Sequence, residues 1–126
     1  MQKSIAWSLA AAITVLLAIL VTQNSRSHAT PKLSTPYQAV QMANGQAFFG
    51  RIEGLDTQYP VLRDVYYIQS QTNPETKQVS NVLVKRGREW HAPDRMMLNR
   101  NQVLLIEPVK PDSQVAKLMD EQNQKP

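Results

Sequence analysis

The sequence predicts a mainly β protein, in which a small five-stranded barrel follows one N-terminal transmembrane helix and precedes a short C-terminal helix. Three observations predict this class. Residues 1–22 are almost wholly apolar, residues 37–110 hold five short apolar runs separated by turn signals, and residues 111–126 carry apolar residues at helical spacing. Beyond the apolar end, the chain leaves roughly a hundred residues for folding, which suits one small domain.

The apolar N-terminus is predicted to be a membrane anchor over residues 1–22. The run from Ile5 to Val21 has no charge, and at about 1.5 Å per residue it spans ~25 Å, close to the hydrocarbon core of a bilayer. Trp7 lies near one end of the run, where an aromatic side chain suits the membrane interface. The residues assigned to the anchor are Ile5, Trp7, Leu16, Leu17, Ile19 and Leu20.

A cleaved signal peptide is the alternative to an uncleaved anchor. Lys3 supplies a basic start, and Ser27-His28-Ala29 resembles a cleavage site with small residues at its first and third positions. The apolar run is longer than the ~7–15 residues usual in a signal peptide, which favours the anchor.

The topology is predicted from the short N-terminal tail. A short tail followed directly by an apolar segment is typical of exported anchors, so the folded domain is predicted to lie on the periplasmic side of a bacterial inner membrane. A cytoplasmic domain is the alternative, because Lys3 precedes the apolar run while Arg26 and Lys32 follow it. Residues 23–36 are rich in Ser, Thr, Asn and Pro and are predicted to be an extended linker.

The barrel is predicted to occupy residues 37–110 and to begin with a hairpin. "YQAVQMA" alternates as a half-buried strand does, and Asn44-Gly45 supplies the positive φ values of a tight turn. The second strand, "QAFFGRIEGL", contains Gly50, at which a strongly bent strand can cross close to its neighbour. Asp56 opens the turn-rich interval that follows.

Three further strands complete the predicted barrel. "VLRDVYYIQ" and "VSNVLVK" are predicted to form a second hairpin across the loop "TNPET". The polar stretch "GREWHAPDR" is predicted to be a loop, and the apolar run from Val103 to Ile106 a buried strand. Five strands without a helix between them predict a barrel or a strongly bent sheet, because closure protects strand edges.

Residues 111–126 are predicted to form a short helix with a frayed tail. Pro111-Asp112-Ser113 suits the capped start of a helix, and Val115, Leu118 and Met119 follow at three- and four-residue spacing. Because so short a helix is marginal alone in water, its apolar stripe either folds back on the barrel or docks a partner.

The opening of the domain resembles the first signature of the Sm-like family, which includes a bacterial RNA chaperone. That signature combines an apolar strand, a turn with Gly, a Gly within the second strand, an Asp and a third apolar strand. The residues in these places are Asn44-Gly45, Gly50, Ile52, Leu55-Asp56 and Val61-Leu62. The family's second signature is a basic residue with a small polar neighbour that leads into an apolar strand. The stretch from Arg100 to Ile106 is similar to it.

The resemblance implies an SH3/Sm-like barrel, RNA binding and rings of subunits joined through strand edges. The family's base-stacking aromatic would fall at Gln58 and its basic-histidine pair at Arg100-Asn101, so only Arg100 keeps the family's chemistry. The wider pattern, from "YQAV" through "LVKRGREWH" to "VKPDSQVAK", resembles uncharacterised single-pass bacterial membrane proteins, a resemblance that implies no activity.

The residue types exclude several chemistries. The chain has no Cys, so it has no thiol nucleophile, disulfide or Cys-ligated metal site. It also has no Gly-rich phosphate loop, Gly-x-Ser-x-Gly elbow or His-Glu-x-x-His motif. Glu89, His91 and Asp94 could bind a metal or transfer a proton, but their clustering on one loop is interpreted as a solvated surface. No catalytic residue, metal or cofactor is therefore predicted, and a metal-dependent enzyme at Glu89 and His91 is the third alternative.

The basic residues that surround the predicted loop indicate a binding surface. The net charge is +4, and Lys85, Arg86, Arg88, Arg95 and Arg100 are predicted to gather at one rim of the barrel, where they would contact anionic lipid headgroups or acidic protein. Ordinary solvated charge is the alternative for this group.

The predicted function is a non-catalytic, membrane-anchored interaction module that serves as an accessory subunit of a larger membrane protein complex. Homo-oligomers are an associated hypothesis. The alternative function is an Sm-like nucleic-acid-binding protein tethered to the membrane, which would use Arg100 and its basic neighbours. The candidate partner-binding residues are Arg86, Arg88, Trp90, Arg95, Arg100, Val115, Leu118 and Met119.

Overall fold

The computed structural model describes residues 2–27 and 31–125, and it describes side chains for residues 2–23 and 31–125. The chain divides into two compact units, Met1–Pro31 and Lys32–Pro126. The candidate cleavage site Ser27-His28-Ala29 lies mostly outside the described residues, as does the last residue of the predicted tail.

The first unit contains one long α-helix, α1 (Gln2–Ser27). Its length and composition are sufficient to cross a membrane, and the side chains assigned to the anchor are all exposed. The hydroxyls of Ser8, Thr14 and Thr22 each donate a hydrogen bond of 2.7–2.9 Å to the carbonyl four residues earlier, which reduces the polarity of the helix surface. The helix ends beyond residue 22, so the first part of the predicted linker is helical.

The second unit is an antiparallel sheet followed by a helix. Its strands are β1 (Gln38–Met42), β2 (Ala47–Glu53), β3 (Val61–Thr72), β4 (Val79–Lys85), β5 (Arg95–Met97) and β6 (Val103–Pro108). The strand order is β4-β3-β2-β1-β6, and β5 pairs with the first part of β3. A 3₁₀ helix (Arg100–Gln102) precedes β6, and α2 (Gln114–Gln124) ends the domain.

The prediction of a five-stranded barrel is corrected on two points. The sheet has six strands and is not closed as a barrel, because within the described residues β4 and β6 do not pair with each other. The additional strand, β5, was predicted to be part of a loop, since its three residues are too few to establish an alternating pattern. The two edges are protected by other means: the Gln122 amide donates to the Leu83 carbonyl of β4 at 2.7 Å, and β6 ends in Pro108.

The predicted turns lie where the chain reverses between strands. Gly45 has a φ of +88°, and the Asn44 side chain accepts a hydrogen bond of 3.0 Å from the Gln46 N–H. Asp56 lies in the turn after β2, which Gly54 enters with a φ of +71°. Both turns therefore depend on a glycine in the left-handed region.

The crossing of β2 and β3 at Gly50 shapes the sheet. A Cβ added to Gly50 would lie 2.7 Å from the Arg63 carbonyl oxygen, which is closer than real Cβ contacts come. The pairing of β2 with β3 shifts register between Phe49 and Arg51, and opposite this shift Asp64 has a φ of +50°. The two strands thus bend together, as the glycine in the second strand predicted.

The bend distributes side chains between two cores. The first core contains Val40, Ile52, Leu62, Val65 and Leu98, and the second contains Tyr66, Leu83 and Met119. Leu62 and Val65 are three residues apart yet share the first core, because the irregular Asp64 interrupts the alternation of β3. The next residue, Tyr66, then points into the second core, which α2 covers.

Replacing Gly50 with Ala is expected to lower the free energy of unfolding by about 1–3 kcal/mol or more, because the new methyl group would collide with the backbone of Arg63. Gly45→Asn is the matched control, since Gly45 has open space around its Cα and Asn tolerates a positive φ. Urea unfolding of the full-length protein in detergent, followed by the near-ultraviolet circular dichroism of its tyrosines, measures both. Equal losses in the two variants would contradict the close crossing.

Candidate functional site

The loop between β4 and β5, residues 86–94, forms the first candidate surface and is called the Trp90 loop. Its start is fixed to β3 by a hydrogen bond of 2.8 Å from the Arg86 N–H to the Val65 carbonyl. Glu89 then organises the turn, since its carboxylate accepts from the Gly87 N–H at 2.8 Å and from the Arg86 guanidinium at 3.1 Å. The hydrogen bond from Gly87 is the first cause that lowers the pKa of Glu89, and the contact with Arg86 adds to it.

This role of Glu89 bears on the metal and proton-transfer hypothesis. The Glu89 carboxylate is directed to the backbone of its own loop, while His91 and Asp94 are exposed. Among the described residues, no three His, Asp or Glu side chains come together in an arrangement that could hold a metal ion. Glu89 thus makes contacts within its own loop, and His91 and Asp94 lie on the surface of the domain.

Trp90 extends from the loop without packing on the domain. The residue is 106% exposed relative to the reference value, and Met97 of the neighbouring β5 is 71% exposed. Trp is a residue that soluble domains normally bury over most of its surface. The exposed indole makes the loop a candidate contact surface.

The basic candidates are divided between two clefts that flank the Trp90 loop. Lys85, Arg86 and Arg95 line a cleft of about 240 Å³ together with the carboxylates of Asp64 and Asp94. A second cleft, of about 370 Å³, is called the basic cleft, and none of the described residues that line it carries a carboxylate. Its lining residues are Leu83, Val84, Lys85, Arg88, Gln122 and Lys125. Lys125 was not predicted as a candidate, because only the folding of α2 brings it to this place.

Arg100 lies apart from these clefts, in the 3₁₀ helix. Its N–H donates to the Gln58 carbonyl at 3.0 Å, so the two positions to which the Sm-like resemblance assigns RNA contacts are neighbours. The Gln58 side chain donates to Asn99 at 3.2 Å and offers no aromatic ring on which a base could stack.

The apolar stripe of α2 packs within the domain. Met119 is fully buried against Tyr66 and Leu83, and Val115 and Leu118 are partly buried around them. The Tyr66 hydroxyl donates to Asn123 at 2.6 Å, while burial raises the pKa of this hydroxyl. These three candidate partner-binding residues are therefore occupied by contacts with the sheet.

A separation between β2 and β3 forms another candidate surface. Their pairing ends at Phe49 and Tyr66, although β2 begins at Ala47 and β3 continues to Thr72. The gap, called the β2–β3 cleft, has a volume of about 530 Å³, and no charged residue lines it within the described part of the chain. The lining residues are Gly45, Gln46, Ala47, Phe48, Phe49, Tyr67, Ile68, Gln69 and Ser70. The Phe48 and Tyr67 rings meet edge to face there, 6.5 Å apart.

The hairpin beyond this cleft is exposed along its whole length. Residues 68–82, called the β3–β4 arm, are all exposed, and they include the apolar side chains of Ile68, Val79 and Val82. The tip is closed by Asn73, whose side chain accepts from the Glu75 N–H at 2.9 Å. The sequence predicted the hairpin but not the arm. Its run of uncharged polar residues before the tip is the signal that could have indicated it.

Neither a protein-family model nor a curated protein matches the sequence.

Replacing Met119 with Ala is expected to lower the free energy of unfolding by about 2–5 kcal/mol, because the side chain is fully buried between α2 and the sheet. Lys117→Ala, at an exposed position of the same helix, should change it by less than about 0.5 kcal/mol. Urea unfolding measures both. If Met119→Ala matched the control, α2 would not be docked on the sheet in solution.

The pH dependence of the Trp90 loop is predicted from Glu89. Because the pKa of Glu89 is lowered in the folded state, its carboxylate stabilises the loop fully at any pH above the ordinary pKa of a Glu side chain. This stabilisation is lost as the pH falls through the lowered pKa. The amide proton of Gly87 should therefore titrate by NMR with a midpoint below 4.5. Glu89→Gln should abolish this titration, and Asp94→Asn should retain it. If the Gly87 titration disappeared in Asp94→Asn, the titrating carboxylate would be Asp94 and not Glu89, which would contradict the prediction.

Proposed function

We propose that the protein is a non-catalytic, membrane-anchored interaction module that acts as an accessory subunit of a larger membrane protein complex. The observation that carries this proposal is the uncharged β2–β3 cleft, which lies beside a free strand edge. The chain that bears this cleft also has one helix that is long and apolar enough to cross a membrane. A site of this kind binds a protein segment rather than a small charged substrate.

The form of the cleft favours an extended segment of a partner protein. Beyond Phe49 and Tyr66, the described parts of β2 and β3 do not pair with each other, so their facing backbone groups are available for hydrogen bonds. A strand inserted between them would pair with β3 by strand addition and place apolar side chains against Phe48 and Tyr67. Because the lining has no charge, we infer that the bound segment is itself uncharged.

The β3–β4 arm supports this assignment. Exposed edge strands are usually protected by charge, proline or a covering element, and Gln122 and Pro108 supply such protection elsewhere in the sheet. The inner edge of β3 from Tyr67 to Thr72 has neither charge nor proline. An unprotected edge of this length is consistent with a strand that a partner covers.

We further propose that the domain lies on the periplasmic side of a bacterial inner membrane, with α1, which is long and apolar enough to cross a bilayer, as its anchor. The Sm-like assignment also stays a proposal. It is supported by the position of Gly50 at the close crossing of β2 and β3, which is where the family signature has its glycine. The open sheet limits the assignment to an unclosed version of such a fold.

A membrane-tethered nucleic-acid binder is the second candidate function. It is favoured by the hydrogen bond that brings Arg100 next to Gln58. The absence of an aromatic ring at Gln58 removes a stacking contribution of about 1–3 kcal/mol per base, which makes this candidate the weaker one.

The proposal is tested by co-purification from gently solubilised membranes with two variants of the tagged full-length protein. Ile68→Lys places a charge in the β2–β3 cleft and should reduce the yield of a stoichiometric protein partner at least tenfold. Val82→Lys places the same charge on the other strand of the β3–β4 arm, outside the cleft lining, and should leave the yield unchanged.

Two outcomes would contradict the proposal. A partner that both variants retain would show that the cleft does not bind it. Nucleic acid that co-purifies alone and is removed by salt would favour the second candidate function.

A further inference from the structure

The Trp90 loop and the basic cleft lie side by side, and the proposed function uses neither. Arg88 lines the cleft and is two residues from Trp90, so the Cα atoms of the two residues are no more than about 7 Å apart. Trp90 is fully exposed, and Met97 is exposed on the adjacent strand. An exposed indole thus lies on the same loop as Arg88, one of the cations of the basic cleft.

The charges around this site favour an anionic ligand. Three cations, Lys85, Arg88 and Lys125, line the basic cleft. The carboxylates nearest in sequence are engaged or directed elsewhere: Glu89 binds Arg86 and the Gly87 N–H, and Asp94 lies 3.9 Å from Arg95. Asp120 and Glu121 are exposed on α2 but do not line the cleft.

Trp90 distinguishes a lipid surface from a free anion. A phosphate ion in the cleft would leave the indole in water, whereas a bilayer surface would accommodate both the indole and the cations. Trp side chains favour the interface between lipid headgroups and acyl chains. The combination therefore fits an anionic phospholipid more completely than it fits a soluble anion.

The connection to α1 supplies a membrane for this contact. Ten residues, 28–37, connect the last residue of α1 with the first residue of β1, and the eleven Cα–Cα steps between these two residues reach no further than about 40 Å. If α1 spans a bilayer, the loop is held at high local concentration near that surface.

We propose that the Trp90 loop is a second membrane contact, in which Trp90 enters the headgroup region of an anionic bilayer while Arg88, Lys85 and Lys125 bind lipid phosphates. This contact is independent of the β2–β3 cleft, so it remains available when a partner protein occupies that cleft. It rests on the same anchor as the proposed function.

The sequence contains two Trp residues, Trp7 and Trp90. The test uses full-length protein with Trp7→Phe, so that all Trp emission comes from Trp90. The protein is placed in lipid nanodiscs of phosphatidylcholine alone or mixed with phosphatidylglycerol. In the anionic discs, the emission of Trp90 should shift to shorter wavelength and be quenched by phosphatidylglycerol that is brominated near the headgroup. High salt should reverse both effects, because it screens the lipid charge.

Matched variants locate the contact. Arg88→Gln and Lys125→Gln should reduce the quenching at least twofold, because both side chains line the basic cleft. Lys117→Gln removes an exposed cation of α2 that does not line the cleft, so it should leave the quenching unchanged. Ile68→Lys, which tests the proposed function, should also leave it unchanged. Failure of one proposal is thereby distinguished from failure of the other.

Four results would overturn the lipid contact. The first is emission at the wavelength of water-exposed Trp in both kinds of disc. The second is an equal response in neutral and anionic discs. The third is a response that low concentrations of inorganic phosphate abolish, which would assign the cleft to a free anion. A shift that occurs only after a purified partner protein is added would equally overturn it, since the loop would then be a protein contact.

Discussion

The close crossing of β2 and β3 at Gly50 is the constraint on which the domain depends. With no Cβ at this position, the Arg63 carbonyl and the Leu62 side chain approach the backbone of β2 directly. The left-handed Asp64 then restarts the alternation of β3 out of phase. Two cores result from one strand, because Leu62 and Val65 face one side while Tyr66 faces the other.

The candidate surfaces follow from that bend. Immediately after it, Val65 accepts the hydrogen bond that fixes the Trp90 loop, and Tyr66 supplies the surface on which α2 packs. Past Tyr66, β3 no longer pairs with β2, so the β2–β3 cleft opens and the β3–β4 arm extends from the sheet. The exposed features are thus continuations of the strand that organises the interior.

Ion pairing decides which cations are available on the surface. Arg51 pairs with Asp64, Arg63 with Glu53, and Arg86 with Glu89. Exposed pairs of this kind contribute little to stability, but they neutralise the cations that take part in them. Among the ion pairs of the described residues, none includes Lys85, Arg88 or Lys125. These three cations line the basic cleft, where Lys85 also donates a hydrogen bond to Asn123 at 3.3 Å.

Local signals in the sequence determined the apolar helix, the Asn44-Gly45 turn, the bend at Gly50 and the capped helix after Pro111-Asp112-Ser113, because each depends on a few adjacent residues. The open sheet, the short β5 and the β3–β4 arm were decided only by the tertiary structure, since strand pairing joins residues that are distant in sequence. The tertiary structure alone also decided that the apolar face of α2, with Met119, packs on the sheet and that Trp90 is exposed. Periodicity shows that a helix face is covered but not by what, and a single aromatic residue in a loop has no periodicity at all.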